Sequence, residues 1–157
     1  YNGNLESVKV HEATGATKVA TSNGVFVLVE GLLAGEREVK KAKLAEKANA
    51  GLDVCFIHNP EIMYDERKYK LADFVIDADK VARAYRLYDG DIVTLTTDLF
   101  VGTPVVGQQL VVHTAGKLGL DATALATAKF AFLVIEDAGF ELSATMGAFA
   151  VQVQKLK

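Results

Sequence analysis

The apolar positions of this chain fall mostly into alternations of period two and into short unbroken runs. Phe149-Ala150-Val151-Gln152-Val153-Gln154 places Phe149, Val151 and Val153 on one side and Ala150, Gln152 and Gln154 on the other. That is the spacing of a half-buried strand. Val25 to Val29, after Asn23-Gly24, is apolar on both sides. Phe130 to Ile135 has the same character and runs into Glu136-Asp137-Ala138-Gly139, which reads as a turn. Such runs are too short for typical helices and rich in β-branched and aromatic residues, so they predict strands covered on both faces.

Further strands are expected at Val8–His11, before the turn-like Ala13 to Ala16, and at Asp53–His58. Others are expected at Ile92–Thr97 after Asp89-Gly90-Asp91, and at Gln109–His113 after Gly107. Val39–Leu44 reads as a charged, exposed strand. Two stretches are ambiguous. Ala42 to Ala48 has helix-forming composition and reads as one helical turn or a strand end. Asp79 to Leu87 fits a short helix capped by Asp77 or Asp79, but also alternates, and the strand reading is preferred. Turn signals recur roughly every ten residues, the rhythm of sandwiches and barrels.

The pattern therefore predicts a mostly β chain: a single-domain β-barrel or β-sandwich over 1–157, with long loops and at most one or two short helices. Positions 1–7 are a candidate extended arm. Positions 59–70, with a proline, two tyrosines and a run of charges, are a long loop of the kind that carries function in compact domains.

Composition adds limits. At 157 residues, 50% hydrophobic and 24% charged, the chain is the size of one globular domain with a real core. Its net charge of −3 offers no basic footprint, so neither nucleic acid nor an anionic membrane is an expected partner. No apolar run reaches the roughly 20 residues that span a bilayer. The polar start, Tyr1-Asn2-Gly3-Asn4, has no signal-peptide pattern. A single cysteine, Cys55, lies in the run Val54-Cys55-Phe56-Ile57 and reads as a buried, inert thiol.

Candidate chemistry is thin. His11, His58 and His113 are too far apart for a metal-ligand spacing, and each stands at the end of an expected strand. The acidic pairs Asp77/Asp79, Asp89/Asp91, Asp65/Glu66 and Glu136/Asp137 could act as acid and base across a cleft. Each sits beside a turn, however, where Asp bonds its own backbone. Ser7, Ser22 and Ser143 lie in no nucleophile-elbow context, and Gly116-Lys117 lacks the rest of a phosphate loop. No catalytic residue, cofactor or metal is expected. The candidate partner interface is Tyr64, Arg67, Lys68 and Tyr69, because Tyr and Arg dominate contact hot spots.

The order of several phrases carries a resemblance. They are Asn23-Gly24-Val25-Phe26-Val27, Glu36-Arg37-Glu38-Val39, Leu52 through Glu61, Tyr64 through Tyr69, Phe74-Val75-Ile76, Ala82 through Ile92, Pro104-Val105-Val106-Gly107 and Gly116-Lys117-Leu118. Together these resemble small structural proteins from the head-gene region of tailed bacteriophages, in particular capsid decoration (cement) proteins, over positions 5 to 155. The resemblance implies a non-enzymatic virion protein, made in the bacterial host cytoplasm, that sits on the capsid surface. It implies the major capsid protein lattice as partner, with self-association into a trimer by analogy. Another virion component (tail tube, tail terminator or baseplate) and a ligand-binding β module are the alternatives.

Overall fold

A computed structural model of the chain describes residues 5–35, 37–59, 76–143 and 146–156, with 138–143 and 146 described by their backbone alone. Among the described residues, ten strands form two layers. The first five, β1 (Leu5–His11), β2 (Phe26–Leu32), β3 (Val39–Leu44), β4 (Val54–Ile57) and β5 (Ala82–Arg86), close into a barrel in the order β1-β3-β2-β4-β5. The β1–β3 pair is parallel and the rest of the barrel is antiparallel. The second layer is a sheet in the order β6-β10-β9-β7-β8, made of β6 (Ile92–Thr96), β7 (Gln109–Val112), β8 (Leu118–Gly119), β9 (Phe130–Ser143) and β10 (Met146–Lys155). The chain is mostly β, as its pattern predicts.

Strand register explains the core. Val8 and Val10 of β1 lie opposite Lys40 and Ala42 of β3, and Val8 also opposes Ala82 of β5. Val27 pairs with Cys55 and Leu44, while Ile57 pairs with Ala84. These residues share the inward side of the barrel. Five strands enclose little space, which suits small Ala, Val and Cys. Ala42, Ala82 and Ala84 are fully buried there. The outward residues of β2 and β4 meet the second sheet instead. Phe26 packs against Phe56 (centroids 5.5 Å) and against Phe132 of β9 (4.7 Å). The predicted stripe Phe149, Val151 and Val153 is buried and belongs to the same core as Phe26 and Phe132. Packing of this kind contributes about 2 to 3 kcal/mol for each large side chain buried.

Several expectations are corrected. Glu136-Asp137-Ala138-Gly139 is not a turn, because β9 runs through it without interruption. The turn-forming residues are accommodated by register shifts against β10, where Ala148, Phe149 and Ala150 face Gly139, Asp137 and Glu136. Extra residues on one strand are bulged out, so a strand tolerates Asp and Gly there. β3 is no exposed edge either: it lies between β1 and β2, and its side chains are half-buried around a buried Ala42. Within Asp79–Leu87, the preferred strand reading holds for Ala82–Arg86, which forms β5 with its two alanines inward, while Asp79 lies in the turn before it. Ala42–Ala48 divides between the end of β3 and a 3-10 turn at Lys47–Asn49. Positions 5–7 of the expected arm are the first three residues of β1, and 1–4 lie outside the described residues.

One short helix, α1 (Ala122–Thr127), had no counterpart in the strand pattern. Asp121 caps it by accepting the Ala124 N–H (2.9 Å), and that bond holds its carboxyl below the usual range. The helix covers Val111 on the outer side of the second sheet, with Ala50, Ala124 and Ala128 around it.

At one end of the barrel the inward side turns charged. Glu6 of β1 accepts hydrogen bonds from Lys40 Nζ of β3 (2.8 Å) and Arg86 Nη2 of β5 (2.9 Å). Burial pushes the Glu6 carboxyl up, but the hydrogen bonds and charges of Lys40 and Arg86 outweigh it, and the net shift is downward. A carboxyl with a depressed folded-state pKa stabilises fully above its ordinary value of 4.5 and loses that contribution as pH falls through the folded value. Melting temperature should therefore drop in acid more steeply for the wild type than for Glu6→Gln. Thermal melts from neutral pH down to about pH 3 check this. Parallel curves would remove Glu6 from the acid sensitivity.

Candidate docking surface

The segment from Phe100 to Gln108 joins β6 to β7, and its sequence mixes apolar residues with Gly and Pro. Its ends are fixed to the second sheet. Phe100 is buried edge-on against Phe149 (5.8 Å), and the Val101 N–H donates to the Leu118 carbonyl (2.7 Å). At the other end the Gly107 N–H donates to Val134 O (2.8 Å), and the Val134 N–H donates to Gln108 O (2.9 Å). Between these anchors the Gln108 side chain accepts the Val105 N–H (3.0 Å), closing a turn.

Pinned this way, the segment presents aliphatic side chains to water. Val101 is 43% exposed, Val105 57% and Val106 53%, and Leu120, just after β8, is 61% exposed. Val101 and Leu120 share a cleft of about 220 Å³ with Pro104 and Gln108. Leu120 directly precedes the Asp121 cap, where an apolar residue often folds back onto the helix. Here it stays in solvent. Scattered exposed aliphatics need no explanation, but Val101 and Leu120 meet at one cleft, and Val105 and Val106 are exposed on the same anchored segment as Val101, which makes this region the candidate docking surface.

The expected interface residues Tyr64, Arg67, Lys68 and Tyr69 lie outside the described residues, as does all of the long loop except Asn59. Asn59 itself is held by reciprocal bonds with Asn23: its N–H donates to Asn23 Oδ1 and its carbonyl accepts from Asn23 Nδ2, both at 2.8 Å. The patch at Val101–Val106 was absent from the expected interface, although Pro104-Val105-Val106-Gly107 gave a legible hint.

Of the candidate chemical groups, His58 and Asp91 line one groove together with Arg86. His11 Nδ1 lies 3.0 Å from Lys9 O, His113 Nδ1 lies 2.9 Å from Thr114 Oγ1, and His58 follows β4. Asp91 accepts the Tyr88 N–H (2.9 Å), the turn role expected of it, whereas Asp89 accepts the N–H of distant Lys155 at the end of β10 (3.0 Å). Asp79 bridges Lys18 (2.6 Å) and Lys9 (3.2 Å), and the hydrogen bonds from these lysines lower its pKa. Glu136 and Asp137 are exposed on β9, and Asp65/Glu66 lies outside the described residues. Burial pushes the Cys55 thiol up to about 11, so it is protonated at neutral pH and a poor nucleophile. Among the described residues no three His, Cys, Asp or Glu side chains gather where they could hold a metal. No helix among them is long and apolar enough to cross a membrane.

No protein-family model, curated protein or solved structure matches this chain.

Proposed function

We propose that this chain is a non-enzymatic virion structural protein that binds the outside of an assembled tailed-phage capsid and stabilises it. The observation that carries this reading is the exposure of Val101, Val105 and Val106 on a segment anchored at both ends to a packed sheet, with exposed Leu120 beside Val101 at its cleft. Such a surface is pre-organised, so docking it costs little ordering entropy. The phrase-by-phrase resemblance to capsid decoration proteins supplies the partner. A protein that binds only the assembled lattice shifts assembly by mass action and needs a rigid surface but no chemistry.

Sedimentation of the purified protein with expanded capsids tests the reading. Wild-type protein should pellet with the shells and raise the temperature at which they open. Val106→Asp and Leu120→Asp should each weaken binding by about tenfold or more, because a charge must be desolvated at the contact. Their own melting temperatures should stay close to wild type, since both side chains are already in water. Failure of the wild type to bind any head lattice would sink the proposal. Equal binding by both variants would move the contact elsewhere.

A further inference from the structure

Among the described residues, the second sheet ends on one side at β6, which pairs there with β10 alone. The ladder fixes which backbone groups of β6 are left over. Ile92, Thr94 and Thr96 lie opposite Gln152, Ala150 and Ala148, and Val93 and Leu95 opposite Val151 and Phe149. The Val153 N–H donates to Asp91 O (2.7 Å), so the residues of β6 that bond to β10 are those in step with Asp91, namely Val93 and Leu95. By the alternation of an antiparallel ladder, Ile92, Thr94 and Thr96 turn their N–H and C=O groups to the outer edge. No strand among the described residues takes up those groups. An open row of this kind is a template for another chain, and the usual blunting devices are absent from β6: Ile92-Val93-Thr94-Leu95-Thr96 contains no Lys and no Pro.

Beside this edge runs a groove of about 290 Å³ between β6 and the outer side of barrel strands β4 and β5. Phe56, Tyr85, Leu87 and Val93 give it an apolar floor. A strand laid along β6 would send every second side chain toward this floor and the others toward solvent. The rim is charged. Arg86 commits Nη2 to Glu6 (2.9 Å) and is 42% exposed, which leaves guanidinium N–H groups for another acceptor. The carboxylate at the rim, Asp91, already accepts the Tyr88 N–H.

We infer that the open edge of β6 accepts an extended segment of a partner protein by strand addition, with apolar residues at alternate positions entering the groove and a carboxylate meeting Arg86. Three features select this occupant. The backbone row is satisfied only by an extended chain, the floor takes apolar side chains in period two, and the spare guanidinium donors match an acid. The inference rests on the capsid reading for the source of the segment, the shell protein. For the site and the chemistry of the strand it stands on the edge and the groove alone.

The test selects a displayed library of short random peptides on the intact protein and on Thr94→Pro. The Thr94 N–H points to the open edge, so proline there removes an edge donor and blocks an incoming strand without breaking a bond to β10. Peptides recovered on the wild type should alternate apolar residues and carry an acid. They should slow hydrogen exchange at the amides of Ile92, Thr94 and Thr96. Their affinity for Thr94→Pro should fall about tenfold or more, the equivalent of one or two backbone hydrogen bonds. An unchanged melting temperature shows that the variant is folded. If proline itself unfolds β6, Thr94→Lys replaces it, since that side chain is already exposed and an edge lysine discourages pairing. No enriched peptide, equal binding by the blocked variant, or unprotected edge amides would each overturn the inference. Wild-type protein that takes up such peptides but ignores capsids removes the capsid reading alone. Capsids bound equally well by wild type and variant, with no peptide at the edge, remove the strand-addition site alone.

Discussion

Phe132→Asp should leave the chain without a cooperative unfolding transition. Phe132 is fully buried, lies 4.7 Å from Phe26 across the two layers, and stands in the ladder between Val153 and Leu110. Truncating such a ring costs roughly 3 to 5 kcal/mol through lost transfer energy and the cavity left behind. A carboxylate in its place has no cation among its neighbours in the ladder or across the ring contact, so its desolvation adds several kcal/mol more. Typical domains hold only about 5 to 15 kcal/mol in all. Val27→Asp, on the barrel's own inward side, should behave similarly, because Val27 is fully buried between Cys55 and Leu44. Urea titration followed by circular dichroism checks both. Phe132→Leu, which keeps an apolar side chain, should retain a cooperative transition at lower urea. A wild-type melt for Phe132→Asp would mean that the layers are not held together at this contact.

The second large effect is expected at Gly116, in the turn between β7 and β8. Its N–H donates to Ala45 O (2.8 Å) and its carbonyl accepts the Phe26 N–H (2.9 Å), so this one residue ties the second layer to the barrel through backbone alone. It adopts φ of +76°, and a Cβ there would come 2.6 Å from Phe26 O and 3.1 Å from Phe26 N. Both neighbours are main-chain atoms in a paired strand and cannot swing aside. Gly116→Ala should therefore cost about 1 kcal/mol for the left-handed backbone and another 1 to 3 kcal/mol for the overlap. Gly107 provides the control. Its φ is +94°, but an added Cβ would meet nothing within 4 Å, so Gly107→Ala should show the backbone cost alone. Equal losses at the two sites, measured by urea unfolding, would refute the close approach at Gly116.

Much of this architecture is legible before any coordinates, and the reason is burial. A strand with one face in a core must alternate, and Phe149-Ala150-Val151-Gln152-Val153 does so because one side meets the barrel. A continuously apolar run fits a strand closed off on both sides, and Val25–Val27 is buried on both, but in Phe130–Ile135 Leu133 and Ile135 are only half-buried. Turn chemistry is local too, so Asp89-Gly90-Asp91 is readable from its own residues. The failures have a common cause. Glu136 to Gly139 looked like a turn because Asp and Gly favour one, yet neighbouring β10 supplies pairing partners that a lone segment lacks. β3 looked exposed because its lysines are long. The structure buries their stems and pairs Lys40 with Glu6 and Lys43 with Glu30. Helix α1 was missed because six residues rich in Ala and Thr carry no apolar stripe of their own, and its one local signal was the Asp121 cap.

The candidate site was less legible than the fold. An exposed interface leaves no periodicity in the sequence, and the expected tyrosine-and-arginine segment falls outside the described residues. Val101, Val105 and Val106 are distinguished by exposure combined with anchoring, and Leu120 by exposure beside them at the cleft; all of these are properties of the assembled sheet. The open edge of β6 is likewise invisible in one dimension. Ile92–Thr96 reads as a strand either way, and only the pairing decides that among the described residues it has one neighbour and not two.

By itself, then, the sequence determined a β chain: where most strands run and which side of each is apolar. Tertiary structure alone decided that five strands close into a barrel with a parallel β1–β3 pair, and that Gly116 touches Phe26. It also left β6 and the Val101–Val106 segment facing solvent. The division follows from range. Backbone preference and burial periodicity act between residues a few positions apart, whereas sheet order, closure and exposure depend on contacts between segments far apart in the chain.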